Sequence, residues 1–411
     1  MADFEAAKID IKSLVGSLDE KRKQHSTTPT MSSKCSIFKV PQSLVVHNER
    51  AYIPAAFTIG LLHHRFQTTE QEIGEKIKWH YFSRLLNRSR TPKKTIEELI
   101  KSILKIKKEI RESYDVQIHQ YSNSMEQFVE VLVVDGCFIV ELLCMVGGER
   151  KTDKDDPLYS TPCMFAFLMR DLFLLENQIP WLVIEHIFKI INPQIPSTTP
   201  SRRWPPQRQL DILAVKFTDY ILPSISINDI VLPAPNVAES CLHLLDLFRI
   251  LLGGSITDPS EESQYLPFFG GLKTKIPSAT DLVKSGIKFK AIMDRSPLTI
   301  NFKNGVLEIP RFLILQTSEI TLRNLVSFEQ CYPHCPPRVS SYIHLMDSLI
   351  KNTEDVKTLC KSDILDSWLN DEEVTHLFHK ICSDTWLREF CYAKLCKDVR
   401  ESAPYQKLYP Y

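Results

Sequence analysis

The residues with the strongest claim to chemistry are four carboxylates set inside apolar runs. Asp135 and Glu141 lie in FVEVLVVDGCFIVELLCMVGG, residues 128–148, and Asp171 and Glu176 lie in the apolar stretch from Cys163 to Ile191. A carboxylate withdrawn from water must find a partner or accept a raised pKa. A raised carboxyl can serve as a general acid or base. The competing assignment is a structural polar network with Arg170, Asn177 and backbone N–H groups, and the sequence leaves both open.

His63 and His64 follow Gly60-Leu61-Leu62. Adjacent histidines point in different directions on any regular element, so the pair alone makes no two-ligand metal face. Either ring could exchange protons near neutral pH or serve as a hydrogen-bonding group. His376, His379 and Cys382 fall at i, i+3 and i+6 on one predicted helix, and both residue types ligate zinc. That span drifts around the helix and Phe378 and Ile381 interleave as core, so a tetrahedral site is not expected there. Cys331-Tyr332-Pro333-His334-Cys335 is too compact for a zinc knuckle without a second pair. The chain has no GxGxxG, GxxxxGK[ST], GxSxG or HExxH motif. No cofactor is expected.

Composition narrows the class. The 411 residues carry 50 Lys+Arg against 50 Asp+Glu, a formal charge of zero. That balance argues against a broadly basic nucleic-acid binder and against a purely electrostatic membrane binder. Hydrophobic residues at 43% and charged residues at 24% are ordinary globular values. A chain this long buries a core without needing disulfides or metals. The 25 prolines against 12 glycines leave little room for a glycine-rich phosphate loop. Eleven cysteines, an odd and scattered set, read as reduced thiols.

The start, MADFEAAKIDIKSLVGSLDEKRK, has no apolar segment of signal-peptide length. The apolar run 128–148 is long enough to span a bilayer. Glu130, Asp135 and Glu141 interrupt it, each at a cost of about 2.5–3.5 kcal/mol on insertion, so a buried core helix is expected instead. These features predict a cytoplasmic protein. Peripheral membrane association through the stripe in 1–22 is the weaker alternative, because acids flank that stripe as well as lysines.

The elements that must position these residues are mostly helices. Phe4, Ala7, Ile11, Leu14, Val15 and Leu18 form a helical stripe in residues 1–22. Residues 24–34 read as a flexible linker. Helices are expected over 68–88, from Thr95 (with Glu98 completing a capping box) to Tyr114, and over 124–145. Two more are expected within 161–191, broken before Pro180, which suits the first turn of the second. Five prolines between Pro193 and Pro206 make 192–207 a surface linker. Helices near 207–221 and 237–252 follow. Alternating residues around Asn304-Gly305 predict a hairpin within about 286–315, with a further strand at Phe312–Leu315. Helices return from Ser318. The fold class is mainly α, a large multi-helix globular domain with a small antiparallel β element.

Several stretches taken together carry a resemblance. They include Ile37-Phe38-Lys39-Val40-Pro41, Asn48 to Pro54, Ile59-Gly60 before His63-His64, and Asp135-Gly136-Cys137-Phe138-Ile139. They continue with Asp171 to Pro180, Gly286-Ile287-Lys288-Phe289, Asn304 to Pro310, Arg323-Asn324-Leu325 and Asp371 to Val374. In this order, from about residue 35 to 400, they resemble the plant domain-of-unknown-function 247 family. The resemblance implies a land-plant origin and a large helical domain. Most relatives end in a membrane-spanning helix, and some in grasses act in self-incompatibility as pollen-side recognition determinants. It carries over no catalytic residues. The chain departs at Leu61-Leu62, where relatives have Pro-Tyr, and its end, KDVRESAPYQKLYPY, lacks the apolar tail. Membrane attachment is therefore an open expectation.

The organisation expected is an amphipathic helix and linker over 1–34, one family domain over 35–401, and a tail over 402–411. The function expected is recognition or signalling through a protein partner, without chemistry of its own. A small-molecule ligand is compatible with it, and nucleic acid is not expected. The alternative is an enzyme using Asp135, Glu141, Asp171 and Glu176 with His63 and His64.

Overall fold

The computed structural model describes residues 11–24, 34–63, 68–115, 124–149, 155–192, 206–221, 241–253, 264–265, 275–293 and 296–402. Helix α1 (Ile11–Gln24) precedes the main body, which opens with the short α2 (Gln42–Val45) and a 3-10 turn at Glu49–Ala51. Helix α3 (Thr69–Leu86) starts at Thr68, whose side chain accepts from the Gln71 amide while Gln71 reaches back, a complete capping box. Helices α4 (Pro92–Lys105) and α5 (Lys107–Glu112) follow. Here the expected start at Thr95 is corrected. Pro92, with no N–H to lose, opens the helix, and Thr95 lies inside it with its hydroxyl bonded to the Thr91 carbonyl at 3.2 Å. A break at Ile106 divides the single helix expected to run to Tyr114.

Helix α6 (Met125–Val146) is apolar on every side, and such a helix belongs in the interior. It packs against α3, α4, α9 (Trp181–Ile191) and α10 (Pro206–Ile221). Between α6 and α9 lie α7 (Pro157–Ser160) and α8 (Pro162–Asp171). Gly136 lets α9 close in, since a Cβ there would collide with the Ile187 side chain. Phe57 stacks on Phe138 at 5.7 Å, and Tyr81 meets the same ring edge-on at 5.3 Å. Pro180 stands at the N-cap of α9, one position before the expected first turn. Of the Pro-rich linker, 193–205 lies outside the described residues, as do 25–33 and 403–411 of the expected linker and tail.

After α11 (Leu244–Gly253) come β1 (Gln264–Tyr265), α12 (Ala279–Lys284) and the strands β2 (Lys288–Ile292), β3 (Asn301–Lys303) and β4 (Val306–Pro310). Asn304 and Gly305 both have positive φ, 51° and 75°, as a two-residue hairpin turn requires, and β3 pairs antiparallel with β4. The sheet is nevertheless mixed. Its order is β2-β4-β3, and β2 runs parallel to β4 on the other edge. The strand expected at 312–315 exists as β5 (Phe312–Ile314), but it pairs with the distant β6 (Leu365–Ser367).

The remaining helices are α13 (Ser318–Cys331), α14 (Arg338–Leu349), α15 (Thr353–Lys361), α16 (Asp371–Ser383) and α17 (Ala393–Glu401). Between the last two, β7 (Glu389–Phe390) pairs with β1. One contiguous apolar cluster runs from Cys35 to Val399. Among the described residues no helix is long and apolar enough to cross a membrane.

His243, fully buried ahead of α11, carries a pH prediction. Its Nε2 lies 3.0 Å from the Ser36 carbonyl and its Nδ1 accepts the Asp246 amide at 3.2 Å, the pattern of a neutral ring. Burial lowers its pKa from 6.5 to about 4, against the pull of Asp246. Between those values the unfolded chain binds the proton and the folded chain does not, so stability falls as pH drops through that window. The expected loss is about 3 kcal/mol, at up to ~1.4 kcal/mol per pH unit. In urea titrations from pH 7 to pH 4, a His243→Asn variant should start less stable and lack this component of the slope. Parallel slopes for the two proteins would contradict it.

Candidate functional site

Residues 52–63 run largely through the interior without regular structure, and Pro54 bars a helix there. Buried amides and carbonyls in such a segment must be matched by side chains. The expected acids do much of this matching. Asp171, at the end of α8, accepts the amides of Ala55, Ala56 and Phe57, each at 2.8 Å. Asn177 accepts the Ile59 amide at 2.7 Å and donates to the carbonyls of Phe57 and Asp171. Asp135, midway along α6, accepts the Gly60 amide at 2.7 Å. Gly60 has φ of +76°, and a Cβ there would strike the Gln178 carbonyl. Asn324 of α13 closes the far end, donating to the Ala51 carbonyl and accepting from Leu175.

Charge is balanced inside the protein. Lys78 of α3, itself buried, donates to Asp135 and to the Thr58 carbonyl, both at 2.6 Å, and contacts Glu75. Burial opposes its charge, but the Asp135 and Glu75 carboxylates raise its pKa and hold it protonated. Asp171 is pushed up by burial while its three amide donors pull against the rise. Glu141 pairs with Arg88 at 2.6 Å.

Glu176 and His63 are the sequence-nominated pair that the fold brings together. Glu176 accepts the Val40 amide at 2.8 Å, and its other oxygen lies 3.6 Å from both His63 Nε2 and Lys39 Nζ. Burial raises the Glu176 carboxyl. Burial, helped by Lys39, lowers His63 to about 4. The pair is thus a neutral imidazole beside a reluctant carboxylate. His64 lies outside the described residues.

The helix predicted to carry His376, His379 and Cys382 forms as α16, yet the three residues diverge. His379 turns to Asp347 at 3.2 Å and Cys382 to His344 at 3.4 Å, while His376 is exposed. Among the described residues no three potential ligands stand close enough to hold a metal.

Sequence reasoning missed Lys78, although its signal was present: it falls in the stripe Gly74, Ile77, Tyr81, Phe82 and Leu85 that faces the core. It also missed an apolar groove of about 530 Å³ between α3, α4 and the start of α6. Helix α4 has two apolar faces. Leu99 and Ile103 are wholly buried, while Ile100 and Leu104 keep more than a third of their surface exposed. With Trp79 of α3, which is 43% exposed, they line the groove. The charged residues on its wall are Glu126 and Glu130. Glu126 is held below the ordinary carboxylate value by its own amide and Ser124 at the helix start.

Comparison with known proteins places the chain. It is 27% identical to the UPF0481 protein At3g47200 of Arabidopsis thaliana over 85% of this chain and 73% of that one. It is 22% identical to the putative UPF0481 protein At3g02645 of the same plant, over 88% and 80%. No solved structure matches it. The family model described as a plant protein of unknown function, DUF247, matches residues 37–408, the whole of the segment that holds the groove and the cradle of side chains around residues 51–60, and the chain belongs to that family.

Proposed function

We propose that this chain is a recognition protein without chemistry of its own, and that the α3–α4–α6 groove receives an amphipathic helix of a protein partner. The groove is the observation that carries this reading. Exposed apolar surface of this kind, rimmed by charge, is costly unless something binds it. Its wall offers apolar contact and two carboxylates, which suits a helix with anchors at i, i+3, i+4 and i+7 and cations at its edge.

The alternative, an enzyme working through Asp135, Glu141, Asp171 and Glu176 with His63 and His64, would have to draw Asp135 and Asp171 away from the amides they hold. The test is calorimetric titration of the full chain with a leucine- and lysine-based amphipathic helical peptide. Trp79→Ala should weaken binding by about 30-fold, the ~2 kcal/mol of an aromatic anchor. An unchanged affinity in Trp79→Ala would count against the groove.

A further inference from the structure

We propose that α1 of this same chain, whose apolar face is about half exposed, docks in the groove as a tethered ligand that a partner displaces. This rests on the reading of the groove as a helix-binding surface. Three independent features of the chain support it.

The first is spacing. Ile11, Leu14, Val15 and Leu18 stand at i, i+3, i+4 and i+7. That is the anchor pattern of a helix that docks into an apolar groove. Leu14, Val15 and Leu18 are each about half exposed, so the described residues leave this apolar face of α1 incompletely covered.

The second is charge. Helix α1 has Lys12, Lys21, Arg22 and Lys23 against Asp19 and Glu20, or 4 − 2 = +2, with three of its cations in the last turn. Asp19 pairs with Arg22 and Lys23, leaving their net charge positive. Among the described residues the groove wall carries Glu126 and Glu130 and no cation.

The third is the tether. Nine residues, 25–33, join α1 to Lys34. At about 3.3–3.6 Å each they reach at most about 30 Å. Lys34 pairs with Glu112 at the end of α5, and Ser36 and Ile37 bond to the Ser113 carbonyl. Helix α5 directly follows α4, whose Leu104 lines the groove, and Arg111 lies over the Phe128 ring at 5.6 Å, next to Glu126. The chain therefore enters the domain near the groove, and the basic last turn of α1 is the end that leads to this entry point. A link of so few residues gives α1 a high effective concentration at that surface.

The test uses the full chain with Val15 replaced by the photo-reactive p-benzoylphenylalanine. Irradiation should give links within one chain to residues 79–104 or 125–134. Links to the same residues in a dimer-sized product would overturn the proposal in favour of a second copy. Links elsewhere, or none, would overturn it outright. Leu14→Glu with Leu18→Glu, both at exposed positions, should speed hydrogen exchange of the α4 amides by about tenfold, equal to ~1.4 kcal/mol of docking. Unchanged exchange would also overturn it. The leucine- and lysine-based peptide, added to this double variant, separates the two readings. If it restores protection of α4 while α1 does not cross-link, only the identity of the occupant fails. If neither engages the groove, the recognition reading fails with it.

Discussion

Lys78→Met should cost about 3–5 kcal/mol, because it leaves the buried Asp135 carboxylate without its cation. That is a large part of the 5–15 kcal/mol that holds a typical domain together. The loss is expected even though methionine fills nearly the same space, since Lys78 makes its bonds to Asp135 and to the Thr58 carbonyl through Nζ. Adding Asp135→Asn should recover much of it. A neutral amide oxygen can still accept from Gly60, and only the partly exposed Glu75 carboxylate then lacks the Lys78 cation. Urea denaturation of the two single variants and the double variant measures the coupling directly. Additive losses would mean that the pair contributes nothing as a pair.

Asp171→Ala should be at least as damaging. The substitution strands the amides of Ala55, Ala56 and Phe57, which lie in the interior at 2.8 Å from the carboxylate. Each unsatisfied buried donor costs about 1–3 kcal/mol, so the three together approach about 3–9 kcal/mol. Removing a buried charge offsets part of this, and burial already holds the Asp171 carboxyl above its ordinary value. Asp171→Asn keeps one acceptor oxygen and should lose roughly half as much. If the alanine chain does not fold, the asparagine chain still gives the comparison. A wild-type midpoint in the asparagine variant would refute the cradle.

The elements were legible where local chemistry decides them. A long, predominantly apolar run marks α6 as interior, and Asn304-Gly305 marks its hairpin because few other pairs accept two positive φ angles. The acids were legible as buried, but not their purpose. Lys78 lies 57 residues from Asp135 and Asp171 lies 114–116 residues from the amides it holds, and no local pattern encodes such distances. The start of α4 was misread for a related reason. Thr95 and Glu98 have the spacing of a capping box, but Pro92 fits the first turn better and moves the N-cap four residues earlier, to Thr91. The groove was hidden in a stripe broader than burial needs: Ile96, Ile100 and Leu104 look like core in the sequence, and only the fold shows that α3 and α6 leave them lining an open groove.

The closure of residues 51–60 by Asn324 also bears on how the chain is made. The Asn324 side chain reaches the Ala51 carbonyl across 273 residues. At ribosomal rates of about 5–20 residues per second, the early segment waits roughly 15–55 s for that contact to be synthesised. Asp171 and Asn177 emerge sooner and can grip it first. A nascent chain arrested before α13 should therefore hold this segment loosely and need chaperone cover, whereas one arrested after it should resist protease at the same place.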